Sequence, residues 1–513
     1  MIVMDNIHLT RGIVAALGAM SALGMASCSD DFLDVTPPDK ATLEEYYNNY
    51  DHIMEAVVAT YSPMRNYDWN NEQYAPLPLC ADAMGDDIWV GGSGVSDNQH
   101  LHKMFNFEST QNSSDALTGI WVQSYKGVRN ANDVLTYLGW AKGKLTDEQS
   151  AEIDAEARAL RAFYYNLLWK YYGNIPFYME NLSAPYIGEQ KGHDEVYATV
   201  IADLESAIES KALPLAWDSD NVGRMSRAAA EMVYAEMVMY QQDESRYAKA
   251  LAYMQEIIGS EEYGLAPDYA GIFLESGEWS SESIFEICYK DDGAVRSWGD
   301  GYVNAGGTIY PRVIGPNGGV AEDGVDSGWG FEPVRQETYD IFEEGDARRD
   351  ATIYDARKAE YTKRYQDTGL WLKKYLPYTA NNADQKADGD LNFNNNLRIY
   401  RYAETLLNAA ELTLATGGDA SAAKEYLNKV HHRAGLTDNK EATLENILAE
   451  RRLEFVGEGK RYWDLVRTGN AQATLTPDAY GYRTNTWSES KKYLPIPLSE
   501  IDASQGSLKQ NNY

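Results

Sequence analysis

The sequence predicts a mainly α-helical protein in which helical hairpins form a scaffold and long irregular segments are inserted between them. Capping signatures at 42–45 and 146–149 precede stretches with apolar residues at helical spacing. Two alanine-rich stretches each contain a pair of helical patterns separated by a short break. Elsewhere glycine, tryptophan, aspartate and asparagine dominate, and helical periodicity is mostly lost. These observations favour a helical scaffold that carries loop-rich insertions.

The helices of the first half follow from these signals. The first capping signature predicts a helix that runs from Thr42 toward Thr60, and a second helix begins near Gly119. The signature at Thr146 predicts a long helix that stops at Gly173. An extended segment is expected at 174–177, because the residue before a proline disfavours the helical conformation.

Two helix pairs are similar to each other. The first is predicted at 226–240 and 247–258, and the second at 399–416 and 420–433. Small alanine side chains in these segments allow neighbouring helices to approach closely. Paired helices of this length suggest tetratricopeptide-like hairpins, although no strict 34-residue consensus repeats. The irregular segments are expected at about 62–118 and 264–396, and long loops of this kind usually serve function.

The N-terminus has the features of a lipoprotein signal peptide. Arg11 precedes an apolar run at 12–25, which is too short to span a bilayer as a helix. The run ends in two small residues before Cys28, a pattern that predicts lipidation of this thiol. The alternative is a buried cysteine near an ordinary cleavage site. The predicted organisation is therefore a signal peptide at 1–27, an acidic tether with two prolines at 28–40, and one domain at 41–513.

Composition excludes some classes of partner. The net charge of −33 argues against binding to nucleic acid or to anionic lipid headgroups. After lipidation two cysteines remain, Cys80 and Cys288, which could form a disulfide or stay as buried thiols. The chain contains no nucleophile elbow, phosphate-binding loop or zinc-protease motif, so we do not expect an enzyme.

Two short motifs could bind a metal, but other interpretations are favoured. His100 and His102 could share one side of a strand, yet nothing indicates a third ligand. The segment 388–394 alternates oxygen-bearing side chains as a calcium loop does. It lacks the glycine and glutamate that such loops require, so we interpret it as a polar turn. No cofactor is predicted, and calcium is the weak alternative.

Several segments, in the same order along the chain, resemble the SusD/RagB family of outer-membrane nutrient-binding lipoproteins. The C-terminal segment 450–467 carries the strongest resemblance, followed by 493–497 and by the segments at 397–404 and 427–435. In the first half, 158–176 is similar to the family's long helix, and 223–230 also resembles the family. Glu450, Glu454 and Glu458 recur every four residues, which predicts that they share one helix face, and the resemblance implies a structural role for them.

The resemblance implies a SusD-like fold and a lipid-anchored outer-membrane protein that captures a glycan. The acidic residues after Cys28 resemble the export tag of surface-facing family members, so the protein is expected to face the cell surface. It would pass the glycan to a SusC-like TonB-dependent transporter without cleaving it. A sugar offers a C–H face to an aromatic ring and hydroxyls to polar side chains. Aromatic residues in glycine-rich loops are therefore the predicted ligand contacts, namely Trp69, Trp89, Trp298, Tyr302 and Trp329. The alternatives are a peptide cargo, as in the RagB branch, and a helical-repeat scaffold without a small ligand.

Overall fold

The computed structural model describes residues 42–70, 73–112, 115–290, 296–298, 306–382 and 388–513. The predicted signal peptide, Cys28 and the tether lie outside the described residues. The helices of the first part of the chain are α1 Leu43–Tyr46, α2 Tyr50–Tyr61, α3 Leu77–Met84, α4 Gln99–Phe105, α5 Thr118–Trp140, α6 Asp147–Tyr172, α7 His193–Glu209, α8 Arg227–Gln241 and α9 Tyr247–Gly259. The later helices are α10 Tyr310–Ile314, α11 Gln336–Asp340, α12 Ala347–Thr352, α13 Tyr402–Ala415, α14 Ala420–Arg433, α15 Leu444–Phe455, α16 Arg461–Arg467, α17 Ala471–Thr474 and α18 Leu498–Ala503.

Among the described residues, short strands form two-stranded antiparallel sheets. The strands are β1 Trp69–Asn70, β2 Gln73–Tyr74, β3 Ile175–Pro176, β4 Gln190–Lys191, β5 Ser283–Ile287, β6 Ile353–Asp355, β7 Leu370–Leu372 and β8 Leu397–Arg401. The pairs are β1 with β2, β3 with β4, β5 with β8, and β6 with β7. The protein is therefore mainly helical, as the sequence predicts, and the strands fasten loops rather than form a layer.

The scaffold is a continuous row of packed helices. Helix α5 packs on α6, α6 on α7, α7 on α8, and α8 on α9. Helix α9 then packs on α13, which packs on α14. The loop-rich segment between α9 and α13 is thus inserted into the row without interrupting it. The tetratricopeptide-like character of these hairpins stays a prediction.

Sequence signals located the long helices well. Helix α6 begins with the predicted capping box, in which the side chains of Thr146 and Gln149 each accept a hydrogen bond from the other's backbone N–H. It ends at Gly173, whose φ of +68° suits glycine. Helix α14 has the predicted bounds. The sequence places Trp121, Trp169 and Trp463 on helix faces, as expected of core residues, and all three are buried.

Two predicted boundaries are wrong. The helix expected from Thr42 to Thr60 is interrupted, because the side chain of Asn49 accepts a hydrogen bond from the N–H of His52 and begins a new helix. The helix expected from Ile399 instead begins at Tyr402, since residues 397–401 form β8. Strand β8 is buried on both faces, so its sequence lacks the alternation that identifies a half-exposed strand.

A buried ion network holds the end of α15 against the strands. The Glu454 carboxylate lies 3.0 Å from the Arg401 guanidinium and 3.3 Å from that of Arg348. Arg348 also pairs with Glu450 at 2.5 Å, and Arg401 pairs with Glu458 at 2.7 Å. Glu458 lies beyond the helix, which ends at Phe455, so the three acids do not share one helical face. Each of them has a structural partner, in agreement with the role that the resemblance implied.

Burial opposes ionisation of Glu454, but the neighbouring guanidinium groups outweigh burial and hold the pKa of this carboxyl well below its ordinary value. Unpaired buried charges are costly, so these side chains fix how β8, α12 and α15 meet.

Both described cysteines are free thiols, and Cys80 is buried. Burial raises the pKa of the Cys288 thiol to about 12, and it raises that of Cys80 further. The disulfide that the sequence left open is therefore not formed in this structure. Among the described residues, no helix is both long and apolar enough to cross a membrane.

Candidate functional site

Four aromatic side chains from three distant segments meet at one partly exposed surface. The ring of Trp298 lies 5.3 Å from that of Trp69 and 6.2 Å from that of Trp329, measured between centroids. The ring of Tyr74 lies 4.8 Å from that of Trp329. Trp298 is 41% exposed, and the other three rings are half-buried. These four residues are called the tryptophan cluster below.

The short hairpin of β1 and β2 provides two of the rings. Trp69 and Tyr74 are cross-strand partners, so their side chains leave the hairpin on the same face. The side chain of Asn98, which lies outside the hairpin, holds the backbone of Tyr74. Its Nδ2 donates to the Tyr74 carbonyl at 2.8 Å, and its Oδ1 accepts from the Tyr74 N–H at 3.3 Å. The hairpin is therefore held from outside as well as by its own pairing.

A buried ion pair brings the Trp298 segment to this hairpin. Arg296 donates from Nη1 to Oδ2 of Asp68 at 2.8 Å, and both side chains are almost completely buried. The same oxygen accepts hydrogen bonds from the Thr308 hydroxyl at 2.7 Å and from the Ile309 N–H at 2.9 Å. Because Asp68 precedes Trp69 and Arg296 lies two residues before Trp298, this pair positions the two rings.

The segment 388–392 supports the same loop. Asn392 accepts from the Arg296 N–H at 2.9 Å and donates to the Arg296 carbonyl at 2.9 Å. The Asp388 carboxylate accepts from the Trp298 N–H at 2.7 Å. Two of the side chains that suggested a calcium loop, those of Asp388 and Asn392, thus accept hydrogen bonds from the Trp298 segment.

Trp329 is held by its backbone. Its N–H donates to the Arg312 carbonyl at 2.7 Å, and the Arg312 side chain pairs with Asp326 at 2.9 Å and with Asp390 at 2.8 Å. The adjacent Gly328 is required by close packing, since a Cβ there would lie 2.1 Å from the Gly315 carbonyl oxygen. The glycines predicted to expose the ring thus also allow two backbone segments to meet.

Trp89 is a correction to the predicted ligand contacts. Its ring is 2% exposed, and the guanidinium of Arg335 lies 3.8 Å from the ring centroid. The backbone around it pairs with another segment, because the N–H of Trp89 donates to the Pro333 carbonyl at 2.8 Å. At Gly91 a Cβ would lie 1.9 Å from the Gly330 carbonyl oxygen. The glycines that suggested an exposed loop instead allow this segment to be buried, so Trp89 presents no ring face to a ligand.

The other predicted residues are placed as follows. Tyr302 lies outside the described residues and stays a prediction, as does the lipidated Cys28. His100 and His102 lie on helix α4 and not on a strand, and burial lowers the pKa of these imidazoles to about 3 and about 4, respectively. In the part of the chain that the structure describes, no group of three or more His, Cys, Asp or Glu residues is placed to hold a metal ion.

Sequence reasoning found three rings of the tryptophan cluster but not the residues that position them. Asp68, Arg296 and Asn392 are ordinary polar residues in irregular segments, and Arg312 lies in the short helix α10. Their partners lie far away in sequence, 228 positions in the case of Asp68 and Arg296. No local pattern indicates such pairs.

A helical scaffold with an aromatic surface site defines a class of binding proteins, and comparison with known proteins identifies the family. Residues 281–513 match the family described as the SusD family, and residues 31–238 match one described as starch-binding, associating with the outer membrane. Surface glycan-binding protein A from Bacteroides thetaiotaomicron, solved in complex with laminarihexaose, is 52% identical. Its TM-score is 0.86, with 90% of this chain and 99% of that chain covered.

Two further solved structures are similar. Surface glycan-binding protein A from Bacteroides uniformis is 47% identical, with a TM-score of 0.83 and with 90% of this chain and 99% of that chain covered. A laminarin-binding SusD-like protein is 30% identical, with a TM-score of 0.80 and with 91% of this chain and 99% of that chain covered. The chain belongs to the SusD family, which is associated with the outer membrane.

Replacing Asp68 tests how the site is held. In Asp68→Asn the buried Arg296 guanidinium loses its counter-charge while the side-chain shape is kept. We expect the free energy of unfolding to fall by about 3 to 5 kcal/mol. Denaturant titration measures this, and Asp220→Asn, at an exposed loop position, is the control. A loss no larger than that of the control would contradict the positioning role.

Proposed function

We propose that this protein is a surface glycan-binding protein whose ligand is a glucan of the laminarin type. The observation that carries the proposal is the convergence of Trp69, Trp298 and Trp329, from three distant segments, on one partly exposed surface. The ligand class is supported by the similarity to a protein solved with laminarihexaose and to a laminarin-binding protein.

The chemistry of the tryptophan cluster suits a sugar chain. Each pyranose ring offers a C–H face that stacks on an aromatic ring, and its hydroxyls need polar partners at the edge. The ring planes of Trp69 and Trp298 are inclined by 66°, and those of Trp298 and Trp329 by 26°. The cluster therefore presents an angled surface. Such a surface favours a curved glucan chain rather than a flat one. Asp390, whose side chain is 42% exposed, supplies a carboxylate nearby.

The carboxylates beside the cluster support capture without cleavage. Glycoside hydrolysis needs two carboxyl groups that are free to act as acid and as base or nucleophile on either side of the bond. Here the Asp388 carboxylate accepts from the Trp298 N–H, and those of Asp326 and Asp390 pair with Arg312. These groups hold the structure of the site, so we infer a binding protein and not an enzyme.

Removing the rings should remove binding. We expect Trp298→Ala to weaken the binding of laminarihexaose at the tryptophan cluster by 10- to 30-fold, which corresponds to about 1.4 to 2 kcal/mol for a central aromatic contact. Trp298→Ala combined with Trp329→Ala should abolish binding at the cluster. Isothermal titration calorimetry measures both effects.

The matched control is Trp140→Ala, because this half-buried tryptophan lies at the end of helix α5 and contacts Tyr137. It should bind laminarihexaose as the unmodified protein does. Unchanged affinity in the Trp298→Ala protein, or binding of peptides with no binding of glucans, would contradict the proposal and favour the peptide or scaffold alternatives.

We further propose that a lipid on Cys28 attaches the protein to the outer membrane, facing the cell surface, where it passes glycan to a SusC-like TonB-dependent transporter. The small residues before Cys28 and the acidic residues after it support the attachment and its orientation. The membership of the SusD family supports the transporter as partner.

Cys28→Ser should release the protein from the membrane, because the thiol that receives the lipid is lost. Immunoblots of membrane and soluble fractions measure this, with Cys288→Ser as the control. Detergent extracts of the same membranes should yield the unmodified protein together with a SusC-like transporter. Equal membrane attachment of the two variants would contradict lipidation at Cys28, and extraction without the transporter would contradict the partnership.

A further inference from the structure

A second groove lies apart from the tryptophan cluster. It is bordered by helix α5, by the loop that joins β3 to β4, and by the region from Glu500 to Leu508. Its volume is about 810 Å³. Pockets that bind small ligands usually have volumes of about 300 to 1,000 Å³, so the groove can hold several sugar rings. None of its lining residues belongs to the tryptophan cluster.

Helix α5 separates the two sites. Ser124 of this helix contacts the hydroxyl of Tyr67 at 2.9 Å, on the side of the residues that precede Trp69. The groove is lined by Val122, Arg129 and Asp133 of the same helix. An α-helix turns by about 100° per residue, so these three residues point away from the side of Ser124. A ligand in the groove would therefore not contact the tryptophan cluster.

Three tyrosines give the groove aromatic surfaces. The rings of Tyr125 and Tyr178 are nearly parallel, inclined by 21°, with their centroids 6.2 Å apart. Tyr186 is 73% exposed, the largest exposed fraction among the large hydrophobic side chains of the described residues. An exposed tyrosine ring at the edge of a groove can stack on the C–H face of a pyranose while its hydroxyl stays in water.

Hydrogen bonds within the protein fix the wall of the groove, so the groove is preformed. The Asn181 side chain donates to the Asp133 carboxylate at 2.8 Å and to the Arg129 carbonyl at 3.1 Å, which fastens the loop to helix α5. The Tyr178 carbonyl accepts from the Tyr165 hydroxyl at 2.5 Å. Gly188 allows the two ends of the loop to meet, since a Cβ there would lie 3.1 Å from the Pro176 Cβ. A preformed wall lowers the entropy lost when a ligand binds.

The polar groups of the groove indicate the class of ligand. Arg129, with a side chain that is 74% exposed, and Asp133 offer a donor and an acceptor close together, with Nε and Oδ2 3.9 Å apart. Glu500 adds a second carboxylate. Lys126 also lines the groove, so two cationic side chains balance the two carboxylates, and this lining without net charge favours a neutral ligand over a polyanion. Hydroxyl groups, by contrast, can both donate to carboxylates and accept from a guanidinium.

We propose that this groove is a second oligosaccharide-binding site, which takes a neutral glucan. The inference rests on the proposed function for the choice of glucan, and it adds a site that shares no residue with the tryptophan cluster. Two sites on one chain would hold a long polysaccharide at two points. Such bivalent binding strengthens retention by about 10²- to 10⁴-fold when the ligand can span both sites.

Calorimetry with laminarihexaose tests the proposal in the full-length protein. The unmodified protein should bind two molecules. The protein that carries Trp298→Ala with Trp329→Ala should bind one, and adding Tyr186→Ala to this protein should weaken the remaining binding at least tenfold. Tyr186→Phe in the same background keeps the aromatic face and should retain the binding. Because Tyr186 is exposed, its replacement should leave thermal unfolding unchanged.

The outcomes separate this proposal from the proposed function. If the unmodified protein binds one molecule and the protein without Trp298 and Trp329 binds none, the result overturns the groove as a binding site and supports binding at the tryptophan cluster. If the unmodified protein binds one molecule, and this binding is lost in Tyr186→Ala but kept when Trp298 and Trp329 are replaced, the result supports the groove as the binding site and overturns binding at the tryptophan cluster. No binding by the unmodified protein overturns both.

Discussion

Asp68 and Arg296 form a buried ion pair that joins segments 228 positions apart, and the arrangement of the tryptophan cluster depends on it. A buried charge without a partner costs several kcal/mol, so the two segments are stable in this register and not in others. Trp69 and Trp298 follow their charged neighbours closely in sequence and are brought together as a consequence. The pair itself need not touch a ligand to determine how the surface rings are presented.

The scaffold explains how such long irregular segments remain ordered. The row of helices buries the apolar core, while the ion network around Glu454 and Arg401 fixes β8 at the C-terminal end of the inserted region. Within the insertion, backbone groups that no helix or strand satisfies are bonded by side chains, as Asn392 does for Arg296. The inserted region, which carries the tryptophan cluster, can therefore be aperiodic and still well ordered. The proposed groove at Tyr186 follows the same plan, with Asn181 fastening a loop to the scaffold.

The sequence allowed prediction of features that depend on neighbours along the chain. The capping box at Thr146 and the periodic apolar residues after it are local, and helix α6 was located within a residue or two. Trp89 and Trp298 both lie in glycine- and aspartate-containing segments, yet the first is buried and the second exposed. The difference arises because a distant segment around Pro333 pairs with Trp89, which no local pattern reveals. For the same reason the rings of the cluster could be proposed from sequence, but the ion pair that assembles them could not.

The proposed function joins a lipid anchor at Cys28, a helical scaffold, a fixed aromatic surface and a laminarin-type glucan as ligand. Its central claim is that the glucan lies on the tryptophan cluster. The most direct measurement is a crystal structure of the protein with laminarihexaose bound. The account predicts pyranose carbons within about 4 to 4.5 Å of the rings of Trp298 and Trp329, the usual distance of apolar contact. A hexasaccharide bound elsewhere, with the tryptophan cluster unoccupied, would contradict it.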